Sequence, residues 1–171
     1  MAQSSATTNF ITQPIDSAEG YKVNGTNVVN SSGTVLNQQQ VQTTGATIAT
    51  TGNTDVYMTA PFAGTLASLS ITPLVALATS DTNYITWTAT NLGQAGAGST
   101  AMLAATDSNT TKATGGTALS ISTPRSLTLS ATSANLVVAA GDVIRIRAAA
   151  TNTLANTVTV PVYSAVFTRT S

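Results

Sequence analysis

From about residue 47 to the C-terminus, apolar and polar residues alternate in short runs. Clusters of Gly, Asn, Asp and Ser separate these runs at intervals of about ten residues, which is the spacing of strands and turns in sandwiches and barrels. A period of two places alternate side chains on opposite faces of a strand. The pattern therefore predicts an all-β domain.

The alternation is clearest in the segment NYITWTATN, residues 83–91. Ile85, Trp87 and Ala89 share one face of this predicted strand, and threonines and Tyr84 occupy the other. A strand with one apolar face buries that face in the core. The pattern therefore predicts that Trp87 is a core residue.

About eight strands are predicted over some 125 residues, a number that fits a jelly-roll or another Greek-key β-sandwich. The alternation does not reveal the strand order. The predicted strands cover residues 55–60, 65–77, 83–91, 100–105 (less favourably a helical turn), 126–131, two segments within 135–150 joined by a turn at Gly141 and Asp142, and 156–171.

The last of these segments changes face along its length. Its valines alternate on one face up to Val162, and its apolar residues alternate on the other face from Tyr163 onward. Such a switch predicts a bulge or a bend near Val162. Pro161, which lacks an N–H group, is not expected to donate to a central ladder.

The first 45 residues differ from the rest of the chain in composition and in hydrophobic pattern. They are rich in Ser, Thr, Asn and Gln, their apolar residues are isolated, and no helical period extends beyond one turn. We therefore predict an extended N-terminal arm at 1–45 and a β-sandwich domain at 46–171. The arm is expected to serve docking or oligomerisation.

Within the arm, the segment GYKVNGTNVVN (20–30) offers strand-forming residues but is too short to form a core. It is therefore expected to dock on another surface, in the same chain or in another one. In the sandwich, two arginines are predicted on an outer strand face, either pairing with acids of a partner or simply solvated. The candidate partner-binding residues are Tyr21, Lys22, Val23, Val28, Val29, Arg145 and Arg147.

Charge is scarce in this chain. Of 171 residues, six are acidic and six are basic, so the formal net charge is zero. Nucleic-acid binding normally needs a basic patch, and the basic residues here are scattered, so no nucleic-acid partner is expected. The first twenty residues lack the basic and apolar regions of a secretory signal, and no apolar run is long enough to span a membrane, so no membrane partner is expected.

The residues that most enzymes use are also scarce. The chain has no histidine and no cysteine, which excludes Ser-His-Asp and Cys-His catalysis and thiolate or imidazole zinc sites. Each of the six acids stands beside turn-forming residues, as expected for Asp and Glu that bond local backbone. A facing glycosidase pair and a calcium loop at 107–111 are weaker alternatives. We therefore predict no catalytic residue, no metal and no cofactor.

Two segments resemble known proteins. AEGYKVNGTNVVNSSGTVLN (18–37) resembles a connector of tail-fibre, head-fibre and head-decoration proteins of tailed bacteriophages, and APFAGTLASLSITP (60–73) resembles a strand entry in jelly-roll capsid decoration (cement) proteins. This resemblance implies a non-enzymatic virion protein that binds the major capsid protein. It further implies a homo-oligomer, most simply a trimer, at the capsid surface, assembled in the host cytoplasm.

The alternative hypothesis is a receptor- or glycan-binding tip domain of a phage head or tail fibre. Trp87, Tyr84 or Tyr163 would then provide the ring on which a sugar stacks. An enzyme that uses only carboxylates is the weakest of the three hypotheses.

Overall fold

The computed structural model describes residues 21–23, 26–29 and 38–169. The chain divides into two compact units, of which the second begins at Gln38. In the first unit, strands β1 (Tyr21–Val23) and β2 (Thr26–Val29) pair with each other in antiparallel fashion. The predicted partner-binding positions of the arm lie in these strands, and their side chains lie outside what is described, as do the remaining arm residues up to 37.

The second unit is built almost entirely from strands and their connections. Two 3-10 turns, Asp107–Asn109 and Ser133–Leu136, interrupt the loops between them. The strands are β3 (Gln38–Thr44), β4 (Gly52–Thr59), β5 (Gly64–Thr72), β6 (Tyr84–Asn91), β7 (Thr100–Ala101), β8 (Arg125–Ser126), β9 (Val137–Val138), β10 (Val143–Thr151) and β11 (Val162–Arg169).

These strands form two antiparallel sheets, one of them curled like a half-barrel. The four-stranded sheet has the order β4-β10-β6-β7. The five-stranded sheet has the order β3-β11-β5-β8, and β9 also pairs with β5. The predicted all-β sandwich is therefore confirmed.

The core lies on the inner faces of these sheets, as the alternation predicted. In β6, Ile85, Trp87 and Ala89 are at most 1% exposed. In the neighbouring β10, Ile144 and Ile146 are buried in the same way. The prediction that Trp87 is a core residue is confirmed.

The predicted change of face before β11 is also confirmed. Val158 is buried, but Val160 is exposed and adopts a positive φ of 38°, so the chain turns there. The alternation predicted that Val158 and Val160 share one face; this prediction is wrong for Val160, which does not lie on the buried face of Val158. β11 starts directly after Pro161, whose carbonyl accepts a hydrogen bond from Gly45 N at 2.7 Å, and Tyr163 opens the new buried face.

Several strand boundaries differ from those predicted. Residues 38–44, which were predicted to belong to the arm, form β3 and pair with β11 along its length. The alternation did not predict this strand because it is rich in glutamine and has a single large apolar residue, Val41. The strand predicted at 65–77 ends at Thr72, before Pro73. The strand predicted at 126–131 is reduced to β8 and a single bridge between Leu103 and Leu129.

Candidate ligand groove

A groove lies on the outer face of the four-stranded sheet. Its floor is the outward side of β6, and its wall is the segment 101–112, which begins at the last residue of β7. We call this feature the outer groove, and the segment 101–112 the groove wall. Its volume of about 440 Å³ lies within the range of small-molecule sites, about 300–1,000 Å³.

The floor of the outer groove carries a row of hydroxyl groups. Thr86, Thr88 and Thr90 line it because they alternate along β6 with the buried residues of the core face. Alternate residues of a strand lie about 7 Å apart, and each hydroxyl can donate one hydrogen bond and accept two. The floor can therefore bind a polar, uncharged portion of a ligand at several points.

The groove wall is held in place by a buried asparagine. Asn109 is 1% exposed, and its Nδ2 donates to the carbonyl oxygens of Ala104 and Thr128, both at 2.8 Å. Its Oδ1 accepts from Thr128 N at 2.7 Å. A polar side chain that is buried and fully bonded fixes the backbone around it. The groove wall is therefore shaped before any ligand arrives.

A buried arginine adds a second support behind the groove wall. Nη2 of Arg125 donates to the carbonyl oxygens of Ser108 and Thr110, and its guanidinium lies 5.0 Å from the centre of the Trp87 ring. Burial lowers the pKa of Arg125 from its ordinary value. Among the described residues, its Nη1 has no hydrogen-bond partner. Arg125 thus joins the groove wall to β8 and to the core.

One end of the outer groove carries an aromatic ring with a cation above it. Nζ of Lys112 lies 5.0 Å from the centre of the Tyr84 ring and donates to Asp107 Oδ1 at 2.9 Å. The hydrogen bond to Asp107 raises the pKa of Lys112. All three residues line the groove. The Lys112 ammonium therefore lies over one face of the Tyr84 ring.

An ion pair lies beside the outer groove on the same sheet face. Arg147 donates from Nε and Nη2 to the two carboxylate oxygens of Asp55, both at 2.7 Å. This hydrogen bonding from Arg147 lowers the pKa of Asp55, against the opposing effect of burial. In the sheet register Arg147 lies opposite Thr88, a residue of the groove floor. The ion pair of Arg147 and Asp55 therefore lies next to the row of threonine hydroxyls on the groove floor.

Arg145 stands next to this ion pair. It lies opposite Thr90 on one side and Tyr57 on the other, and Tyr57 is 53% exposed. Within the described residues, its buried Nε has no hydrogen-bond partner. Tyrosine and arginine are both residue types that are enriched at protein interfaces.

The predicted site residues meet different outcomes. Arg145 and Arg147 do lie on the outer sheet face, and Arg147 is bonded to Asp55 of the same chain. Trp87 and Tyr163 are 1% and 2% exposed, so the prediction that either ring stacks a ligand is wrong. Trp87 lies among the residues that line the outer groove, but its ring is buried, whereas Tyr84 lines the groove and is partly exposed.

Sequence reasoning missed Asn109 and Lys112, and it placed the threonines of β6 on the face opposite the core without assigning them a role. The signal that was present is the threonine row of NYITWTATN opposite its core face. The wall has no comparable signal, because Asn109 reaches a partner 19 residues away.

In residues 21–23, 26–29 and 38–169, no group of three or more acidic side chains is placed to hold a metal ion. Nor does that part of the chain contain a helix long and apolar enough to cross a membrane.

No protein-family model matches this chain, and no curated protein or solved structure matches it either.

Proposed function

We propose that this chain is a structural virion protein, a capsid decoration (cement) protein of a tailed bacteriophage that binds the outer capsid surface and stabilises the shell. The proposal adds no enzymatic step and no cofactor. It starts from the sequence resemblance at 18–37 and 60–73. The structural observation that supports it best is the uncharged edge strand β3, which the chain enters directly from the arm.

β3 is an edge that is open to pairing. It pairs with β11 on one side, and no strand of the described residues pairs with its other side. Soluble proteins commonly protect such edges with lysine, proline or a bulge. The sequence of β3, QQQVQTT, contains neither residue, and its pairing with β11 has an unbroken register. An unprotected edge suits addition of a strand from another chain.

The chemistry of this edge also suits a shell protein. Glutamine and threonine bond through neutral groups, so binding at β3 would depend little on salt, whereas contacts between exposed charges weaken as salt rises. The partners that we propose are the major capsid protein and further copies of this chain, most simply in a trimer. Their contacts would involve β3 and the arm positions Tyr21, Lys22, Val23, Val28 and Val29.

Co-sedimentation with capsids tests the proposal. The full-length chain, mixed with capsids of the phage that encodes it, should move with the capsids in a density gradient and should raise the temperature at which the shell opens. Gln42→Lys places a charge on the β3 edge and should weaken this binding. Ser120→Lys, an equal change at an exposed loop residue remote from β3 in sequence, is the matched control. A chain that never moves with capsids would overturn the proposal.

A further inference from the structure

Among the described residues, Arg145 has no carboxylate within ion-pair distance. The carboxylate closest to it in the sheet register belongs to Asp55, and Arg147 occupies both oxygens of that group. Because the Nε of Arg145 is buried, an anion would bind through the two terminal Nη atoms, which can donate in parallel to two oxygens. Arg145 is therefore the place on this face where an anionic group of a ligand would bind.

The other acids near this face are also occupied. Asp107 accepts from Lys112, and Asp142 accepts from Asn91 Nδ2 and from Ala139 N. The donors to Asp142 are neutral, so this carboxylate keeps its charge and the face carries no excess of cations. Lys112 and Arg147 each have a carboxylate partner, and Arg145 has none among the described residues. A ligand with a single acidic group therefore suits this face better than a polyanion such as a nucleic acid.

The position of Arg145 connects this charge to the outer groove. Arg145 lies directly opposite Thr90, which lines the groove floor, and neighbouring strands lie about 4.8 Å apart. A ligand that lies along the threonine row can therefore place an acidic group on Arg145. The Tyr84 ring lies at the other end of the same row, since Thr86, Thr88 and Thr90 follow it along β6.

We propose that the outer groove binds a saccharide that carries a carboxylate, with the carboxylate on Arg145, the sugar hydroxyls on the β6 threonines and a sugar face near the Tyr84 ring. Rows of hydroxyls match the many donors and acceptors of a sugar, and an aromatic ring offers its apolar face. The wall is already fixed by Asn109, so little ordering cost opposes binding. This ligand site is independent of the capsid contacts proposed at β3.

Calorimetric titration of the full-length protein tests this proposal with defined probes. The acidic probes are trigalacturonate and 3′-sialyllactose, and lactose 3′-sulfate carries a different anion. Lactose and cellotriose are the uncharged controls. At least one carboxylated probe should bind, and the uncharged sugars should bind at least about tenfold more weakly, because a hydrogen bond to a charged group exceeds a neutral one.

Two variants distinguish the loss of the binding site from the loss of the folded structure. Arg145→Gln should weaken binding of the carboxylated probe at least about tenfold, as expected when a charged hydrogen-bonding partner is lost. Arg169→Gln removes an arginine that lies over Phe62 on the other sheet and should leave binding unchanged. The urea midpoint and the emission of Trp87 establish that each variant is folded.

Each remaining outcome overturns the proposal. No binding of either carboxylated probe at millimolar concentration would do so, as would equal affinity for acidic and uncharged sugars. Preference for the sulfated probe over both carboxylates would reassign Arg145 to a sulfate or phosphate group. If Arg145→Gln weakens co-sedimentation with capsids and leaves saccharide binding intact, Arg145 is a protein contact instead.

Discussion

Replacing Asn109 by alanine tests how the groove wall is held. The change removes three hydrogen bonds, two to carbonyl oxygens and one from Thr128 N. The carbonyls of Ala104 and Thr128 keep backbone donors, Thr106 N and Ala104 N respectively, so they lose only a second bond. Thr128 N loses its acceptor, which is the larger cost. With about 0.5–1 kcal/mol for each bond, we expect a loss of about 2 kcal/mol in the free energy of unfolding.

Urea unfolding measures this loss, with Trp87 as the probe. Trp87 is the only tryptophan and is 1% exposed, so its emission should shift to longer wavelength when the sandwich opens. With a slope of about 2 kcal/mol per molar urea, the midpoint should fall by about 1 M.

Asn135→Ala is the matched control for this measurement. The side chain of Asn135 donates one partly buried hydrogen bond, to Ser130 Oγ at 3.1 Å. Its loss should cost less than about 1 kcal/mol. If Asn109→Ala costs no more than Asn135→Ala, the reasoning that Asn109 fixes the groove wall is refuted.

Three further predictions concern the sandwich. Asp55→Asn should reduce the free energy of unfolding by at most about 1 kcal/mol, because the side chains of Asp55 and Arg147 are 22% and 35% exposed. Since Arg147 lowers the pKa of Asp55, this loss should be full above the ordinary pKa of 3.8 and should vanish at lower pH. A loss that is unchanged at pH 2 would contradict the prediction. Burial raises the pKa of Tyr163 to about 12, so stability should be full below the ordinary pKa of 10.0 and fall as pH rises toward 12. Tyr163→Phe should reduce that fall in the urea midpoint, and equal slopes for both proteins would count against it. Gly64→Ala would place a Cβ in steric conflict with the Thr168 carbonyl oxygen, so its urea midpoint should fall by the equivalent of about 2 kcal/mol or more. Ala67→Ser, at an exposed site of β5, should change the midpoint little.

The alternation along the chain predicts those parts of the fold in which one strand face is buried. β6, and β10 around its two arginines, carry an apolar alternation, and the burial of Trp87 and Ile146 follows from it. β3 lacks this signal because its glutamines lie at an edge and stay exposed. What holds β3 in the sheet is its backbone pairing with β11, more than 100 residues away, which composition does not encode.

The candidate site depends on strand order, which alternation does not record. Asp55 and Arg147 are 92 residues apart in sequence and meet only because β4 pairs with β10. The outer groove likewise exists only where the segment 101–112 folds beside β6. The sequence therefore predicted that Arg145 and Arg147 face outward, but it did not predict the groove beside them.

Binding to a capsid is the central claim, and electron cryomicroscopy of capsids incubated with the full-length chain tests it most directly. The account predicts added density on the outer surface that repeats with the symmetry of the shell and accommodates the nine-stranded sandwich of residues 38–169. In that density the edge strand β3 should face the capsid or a neighbouring copy. Capsids that remain bare at saturating protein would contradict the claim.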